Sequence, residues 1–193
     1  GVIIAKILMN GGDVGAAVGA GIGVATVCGF INGVLVAKSK CIPLIISLGM
    51  SSVYFGISLV ITEGKFMNFR KAFEWLRQTK IAGVIPFTLI FLIFMVVITF
   101  ILLNHTKFGR RIVAIGGNEE NAYLSGINVD IYKIITYTIS GFYCGVASIV
   151  HASRLDSIVS TAGTGYELSA LTAAIIGGVT FEGGRGSVGG AFL

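Results

Sequence analysis

The sequence predicts an all-α polytopic membrane protein, with about four full transmembrane helices and a fifth, broken or re-entrant glycine-rich segment. Three observations predict it. The 193 residues are 54% hydrophobic and only 12% charged, with a mean hydropathy of +0.90, whereas a soluble domain carries about 25% charge. The charges are also bunched, which leaves uncharged windows at 14–37, 41–62, 81–106 and 134–153. Each holds about the 20 residues that a helix needs to cross roughly 30 Å of hydrocarbon. The last window, 168–181, is too short to span alone. A broken helix at membrane depth is tolerated only where protein or a cavity covers its backbone.

The chain opens on Gly1 rather than Met and stops in an apolar run, Gly189-Gly190-Ala191-Phe192-Leu193. It is therefore expected to be a fragment of a longer polytopic protein, with 1–193 one transmembrane domain incomplete at both ends. The first window is no signal peptide, because the chain is already apolar from Val2 and lacks the charge layout of one. Cys28, Cys41 and Cys144 lie in or beside spans, an odd number without paired spacing, so neither a disulfide framework nor a metal site is expected. The net charge of +5 suits loops that face anionic headgroups and gives no sign of nucleic acid.

Taken in order, the approach to the first span and the span itself carry Gly11, Gly15, Gly19 and Gly23 at four-residue spacing. That arrangement lets another backbone come close. Asn32, near the far end, either hydrogen-bonds a neighbouring helix or touches a polar solute in a pathway that Ser47 and Ser51 of the second span would share. Between the second and third spans, Phe66, Phe69, Phe73 and Leu76 recur at helical spacing among Lys65, Arg70, Lys71, Arg77 and Lys80. This predicts an amphipathic helix over 64–80 in the membrane interface, anchored by Trp75. It is a lipid-resting linker or, alternatively, a docking surface. Arg154 and Asp156 follow the fourth span as a solvated or local pair, or as contacts to a partner across complementary charge.

A polar island at 116–127 separates the third and fourth spans. Asn118 is a good N-cap, and Glu119 and Glu120 then occupy the first helical turn, where carboxylates favour the positive end of the helix dipole. Asn121, Ala122, Tyr123 and Leu124 continue the helix to Ser125, and Gly126 is placed to end it. A helix of about two turns is too short to be stable alone, so the island predicts a docking surface that fits a groove of another protein. Charge alone does not orient it. One side of the membrane would hold Lys38, Lys40, Lys107, Arg110, Arg111 and Lys133, and the other Lys65, Arg70, Lys71, Arg77, Lys80 and Arg154, six against six.

Gly184-x-Gly186-x-x-Gly189 has the letters of a dinucleotide fingerprint, but that motif needs a preceding strand, a following helix and an acidic residue about 20 positions on. In an apolar setting Gly183, Gly184 and Gly186 predict instead a sharp turn between two half-helices, where close backbone approach demands glycine. Glu167, Glu182 and Arg185 flank it, either as functional charges at membrane depth or as interfacial loop charges.

At the island the chain resembles a known family. Glu120-Asn121-Ala122-x-x-x-Gly126 is similar to the EAA-x-x-x-G coupling loop of ABC-importer permeases, with Asn121 in place of the first alanine and without the following Ile and Leu-Pro. Gly109 to Asn118, Ser125-Gly126-Ile127, Gly165 to Leu168, Ala173 to Gly178 and Glu182 to Gly186 resemble the ribose/xylose/galactose permease subfamily. Asn32-Gly33, Ser47 to Met50 and Thr62-x-Gly64 fall in the expected order before them. The resemblance implies the transmembrane subunit of an importer in a bacterial plasma (inner) membrane, without enzymatic activity or cofactor of its own. It implies a second permease subunit, identical or not, a cytoplasmic ATP-binding subunit that hydrolyses ATP, and an extracytoplasmic sugar-binding protein. Carried over by motif, Gly117, Asn118, Glu119, Glu120, Asn121, Ala122, Ser125 and Gly126 would form the ATPase contact within a cytoplasmic loop at about 107–133.

Two other classes fit less well. An intramembrane enzyme needs converging nucleophile, base or metal ligands, and His105 and His151 sit apart at span ends without such spacing. A carrier driven by an ion gradient, or a channel, is the alternative. Carriers usually place carboxylates inside the membrane, and the first four windows contain none.

Overall fold

The computed structural model describes residues 1–39, 41–68, 80–81, 85–155, 157–158, 161, 163–180 and 183–192. Helices α1 (Val2–Met9), α2 (Val14–Lys38) and α3 (Pro43–Thr62) come first. Strands β1 (Met67–Asn68), β2 (Lys80–Ile81) and β3 (Ile85–Pro86) lead to α4 (Phe87–His105), α5 (Lys107–Gly117), α6 (Glu119–Leu124) and α7 (Val129–Leu155). Strand β4 (Ser157–Ile158), α8 (Tyr166–Ile176) and α9 (Val188–Phe192) close the order. Among the described residues four helices, α2, α3, α4 and α7, are long and apolar enough to cross a membrane. α8 is apolar but has only 11 residues, and α9 follows it across a glycine-rich turn, so the last segment is a broken helix as expected.

Sequence explains where the spans begin and end. Asp13 caps α2 by accepting the Gly15 N–H at 3.0 Å, and Pro43 stands in the first turn of α3, where its missing N–H costs nothing. The third span starts at Phe87 rather than at 81. Ile81 pairs with Ile85 and Lys80 with Pro86 in a small antiparallel ladder, and a residue before proline is pushed out of the helical region. The fourth begins earlier than its uncharged window, because Asn128 offers its side-chain oxygen to the Ile131 N–H at 3.4 Å and starts the helix at Val129. Inside the spans, hydroxyls turn back on their own helices: Thr26 donates to Ile22 O at 2.8 Å, Thr99 to Met95 O at 2.8 Å and Thr138 to Ile134 O at 2.7 Å. In hydrocarbon such internal satisfaction is required.

The amphipathic helix expected over 64–80 is not what the ends of that stretch form. Met67 and Asn68 are extended and pair with Ile158 and Ser157, and Lys80 lies in β2. Residues 69–79, with Phe69, Phe73, Trp75 and Leu76, lie outside the described residues, as do Lys40, Asp156 and Glu182.

The chain divides into two compact units, Gly1–Thr88 with Ile134–Ala162, and Leu89–Lys133 with Gly163–Leu193. In the first, α1 folds back so that Ile4, Ala5 and Leu8 are buried with Ala17, Met67 and Ala152. α2 and α7 run antiparallel with their backbones in contact. A Cβ on Gly29 would lie 2.5 Å from Tyr137 O and 2.9 Å from Gly141 Cα, and one on Gly141 would lie 2.5 Å from Ala25 O. Gly33 meets Ile134, and Gly145 meets Ile22, in the same crossing. Small residues four apart on both helices allow this approach. The expected packing stripe differs: Gly11 lies in the turn before α2, and at Gly19 and Gly23 an added Cβ would meet nothing within 4 Å. Four-residue spacing marks a face, but the partner determines which face is used.

Candidate functional site

The island forms in the second unit, built from α5, α6 and the start of α7. α4 turns into α5 at Thr106, whose hydroxyl donates to Leu102 O and accepts the Gly109 N–H at 3.2 Å. Gly109 is buried in that turn, since a Cβ there would strike the Leu103 backbone. α5 runs to Gly117, and Asn118 ends it while starting α6. The Asn118 N–H donates to Ala114 O at 3.2 Å, and its side-chain oxygen accepts the Asn121 N–H at 2.8 Å. One asparagine thus serves as the end of one helix and the cap of the next.

The other end of α6 closes just as fully. The Gly126 N–H donates to Tyr123 O at 2.9 Å and the Ile127 N–H to Ala122 O at 3.1 Å, the paired bonds of a Schellman stop. Gly126 has φ of +79°, a left-handed conformation that suits glycine and strains other residues. Ser125 Oγ adds a bond to Asn121 O at 2.8 Å. A six-residue helix is thereby satisfied at both ends by its own neighbours.

α6 is tied to what surrounds it. Lys133 Nζ donates to Glu119 Oε1 at 2.6 Å, and the Arg111 guanidinium hydrogen-bonds the Tyr132 hydroxyl. The Phe108 and Tyr132 rings stack at 5.6 Å. These contacts fix α5 and the first turn of α7 on either side of the island. Of the helix itself only Ala122 is buried. Tyr123 is 71% exposed and Leu124 75% exposed, beside the exposed Glu120, Asn121 and Ser125. Two large apolar side chains and a carboxylate thus stand exposed together on a helix capped at both ends.

The structure therefore brings Gly117, Asn118, Glu119, Glu120, Asn121, Ala122, Ser125 and Gly126 together, with Ala122 turned inward as the anchor. Tyr123 and Leu124, expected only as continuing the helix and not among the site residues carried over by motif, are its most exposed large apolar side chains, and large apolar residues in a polar island are themselves a signal. In the first unit Asn32 and Ser47 meet, Asn32 Nδ2 lying 3.5 Å from Ser47 Oγ. Ser47 donates to Pro43 O and Ser51 to Leu48 O, so Ser51 stays apart. Asn32 Oδ1 is buried and has no hydrogen-bond partner among the described residues.

The glycine turn lies in the second unit. Gly183 and Gly184 have φ of +89° and +75°. A Cβ on Gly116 would lie 2.4 Å from Gly184 N, and one on Gly184 would lie 2.6 Å from Gly117 N and Cα. The turn therefore rests on the α5–α6 junction, main chain against main chain. Repeated Gly-Gly doublets at 116, 177, 183 and 189 were the available sign of such contacts, but nothing local says which doublet meets which.

The chain matches, over residues 1–193, the family described as Branched-chain amino acid transport system / permease component. It is 38% identical over 165 residues to the ribose import permease protein of Bacillus subtilis (strain 168), covering 84% of this chain and 51% of that protein. It is 36% identical over 183 residues to the ribose import permease protein of Escherichia coli (strain K12), with 92% and 56% covered. With the D-allose transport system permease protein of the same strain it shares 36% over 191 residues, with 97% and 58% covered. The chain spans about half the length of the curated relatives it matches. No solved structure matches it. The four apolar helices and these relatives make it a multi-pass protein of the inner membrane. The chain belongs to the Branched-chain amino acid transport system / permease component family.

Proposed function

We propose that this permease-family chain is part of the transmembrane subunit of an ATP-binding-cassette importer. It contributes to the translocation pathway for a monosaccharide that an extracytoplasmic binding protein delivers, and a cytoplasmic ATP-binding subunit drives the cycle. α6 is the surface that this subunit grips. The observation that carries the reading is the capped six-residue helix with Tyr123 and Leu124 exposed beside Glu120. A free helix of this length would not persist without such support, and an inert loop has no need of it. The monosaccharide is supported by the ribose and D-allose permeases that the chain resembles. The family description names branched-chain amino acids, and transport assays separate the two.

In this reading the island faces the cytoplasm, and the ATPase contact runs from Gly117 to Gly126. A second permease subunit, identical or not, completes the pathway. The chain itself carries out no chemistry, since the hydrolysis occurs in the partner. The pairing of Asn32 with Ser47, and the Asn32 oxygen that has no partner among the described residues, support a polar lining within the spans. Ser51 belongs to that lining only through its place one helical turn beyond Ser47 on α3.

The test is retention of ATP-binding subunits by the full-length permease, solubilised and affinity-purified as wild type and as Glu120→Lys. Wild type is expected to retain an ATPase. The charge reversal is expected to lose it by about tenfold or more, as when a hot-spot residue at an interface is disrupted. A well-folded wild type that retains none would move the assignment to a carrier driven by an ion gradient, or to a channel.

A further inference from the structure

The glycine doublets of the second unit meet in pairs, Gly116-Gly117 with Gly183-Gly184, and Gly177 with Gly190. A Cβ on Gly177 would lie 2.3 Å from Gly190 O, and one on Gly190 would lie 2.1 Å from Gly177 O. The turn between α8 and α9 is braced from within. Thr180 Oγ1 donates to Gly183 O at 2.7 Å, the Thr180 N–H to Arg185 O at 3.1 Å and the Gly183 N–H to Thr180 O at 3.1 Å. Its base is fixed too. The Gly178 N–H donates to Ile175 O at 3.0 Å and the Val179 N–H to Ala174 O at 3.0 Å, ending α8, while Ser187 Oγ accepts the Gly190 N–H at 3.0 Å at the start of α9. Among the described residues the result is a hydrogen-bonded finger in which Gly183 and Gly184 bear on the last turn of α5.

We propose that the Gly183–Gly184 turn is a latch seated on Gly116–Gly117, so that displacement of α6 passes by backbone contact into the α8–α9 pair. A contact between side chains can absorb a small shift by rotating a rotamer. A contact between two glycine backbones has no rotamer to rotate, so a shift there must be taken up by the main chain itself. The α5–α6 junction at Gly117 and Asn118 is also the pivot of α6, so a rigid shift of that short helix acts directly under the finger. The finger either follows or unseats, and both move the half-helices. That ATP in a partner supplies the displacement rests on the preceding proposal, whereas the seat itself does not.

The experiment uses the full-length permease in membrane vesicles, free of other cysteines and carrying Gly189→Cys as a reporter. Residue 189 is exposed on α9, and a Cβ there meets nothing within 4 Å. Its rate of labelling by a water-soluble maleimide is measured with and without Gly116→Ala. The added methyl lifts the finger, and the rate is expected to change roughly 2- to 30-fold, the range that mutations along a coupled element produce. Ala114→Ser adds one atom to an exposed side chain on the same helix and is expected to leave the rate unchanged. Gly184→Ala, which opens the seat from the other side, is expected to act like Gly116→Ala and decides the matter should Gly116→Ala fail to reach the membrane. Rates equal to that of the parent in the glycine variants overturn the latch. Where vesicles show ATP-dependent uptake, Gly116→Ala is expected to lower uptake per ATP hydrolysed, and an unchanged ratio beside a changed labelling rate overturns the transmission. Parental vesicles without ATP-dependent uptake count against the importer assignment, and the labelling result still decides the seat.

Discussion

Gly126→Pro is expected to lower solute uptake by about a hundredfold, the scale that a displacement of 1 Å in a positioned element can carry, while the permease still inserts in the membrane. The reason lies in two bonds and one angle. Gly126 donates its N–H to Tyr123 O at 2.9 Å and sits at φ of +79°. Proline removes the donor and holds φ near about −65°. The Schellman stop then fails, and with it the neighbouring bond from Ile127 to Ala122 O. Holding a residue in a disfavoured backbone region costs about 1–3 kcal/mol, which is more than a two-turn helix has in reserve. Gly126→Ala keeps the N–H and only strains the angle, by about 1–2 kcal/mol, so its loss of uptake should be partial. The check is uptake and ATP hydrolysis measured together in proteoliposomes. Hydrolysis that persists while uptake collapses marks α6 as the lever; parental uptake in the proline variant would sink that role.

The second large effect is structural. Gly141→Leu should destabilise the permease by about 1–3 kcal/mol or more, the usual cost of forcing extra methylenes into a filled site. Here the site is filled by backbone, with Ala25 O 2.5 Å and Gly29 Cα 2.9 Å from the would-be Cβ, so no neighbouring side chain can swing aside. Gly141→Ala should fall between wild type and leucine. Thermal unfolding of the full-length protein in detergent reads the series. A graded fall in melting temperature is expected, and a flat series would mean that α2 and α7 do not cross here.

Both effects show what the sequence could and could not disclose. The spans were legible because hydrocarbon demands long uncharged runs, and Cys41 to Thr62 matches α3 within two residues. The island was legible because capping is local: Asn118, the two glutamates and Gly126 specify a helix from start to stop within nine residues. The packing partners were not legible. Gly11, Gly15, Gly19 and Gly23 have the regular spacing, yet the backbone contact with α7 is made by Gly29 and Gly33, since periodicity fixes a face without naming its neighbour. The seat of Gly184 on Gly116–Gly117 joins residues far apart in the chain, and no local rule reports it. Only the edges of the stretch after α3 bear on its helical spacing: Met67 and Asn68 find strand partners at Ile158 and Ser157, where tertiary pairing outweighs weak local preference, while Phe69, Phe73, Trp75 and Leu76 lie outside the described residues.

The full-length permease, reconstituted with the ATP-binding subunit and binding protein proposed for it, is assayed for uptake of labelled ribose and of a labelled branched-chain amino acid, with ATP inside the vesicles or absent. Uptake of the sugar is expected to require ATP, to survive ionophores that collapse ion gradients, and not to be shared by the amino acid. Uptake that proceeds without ATP and stops when the ion gradient is collapsed would contradict the importer assignment.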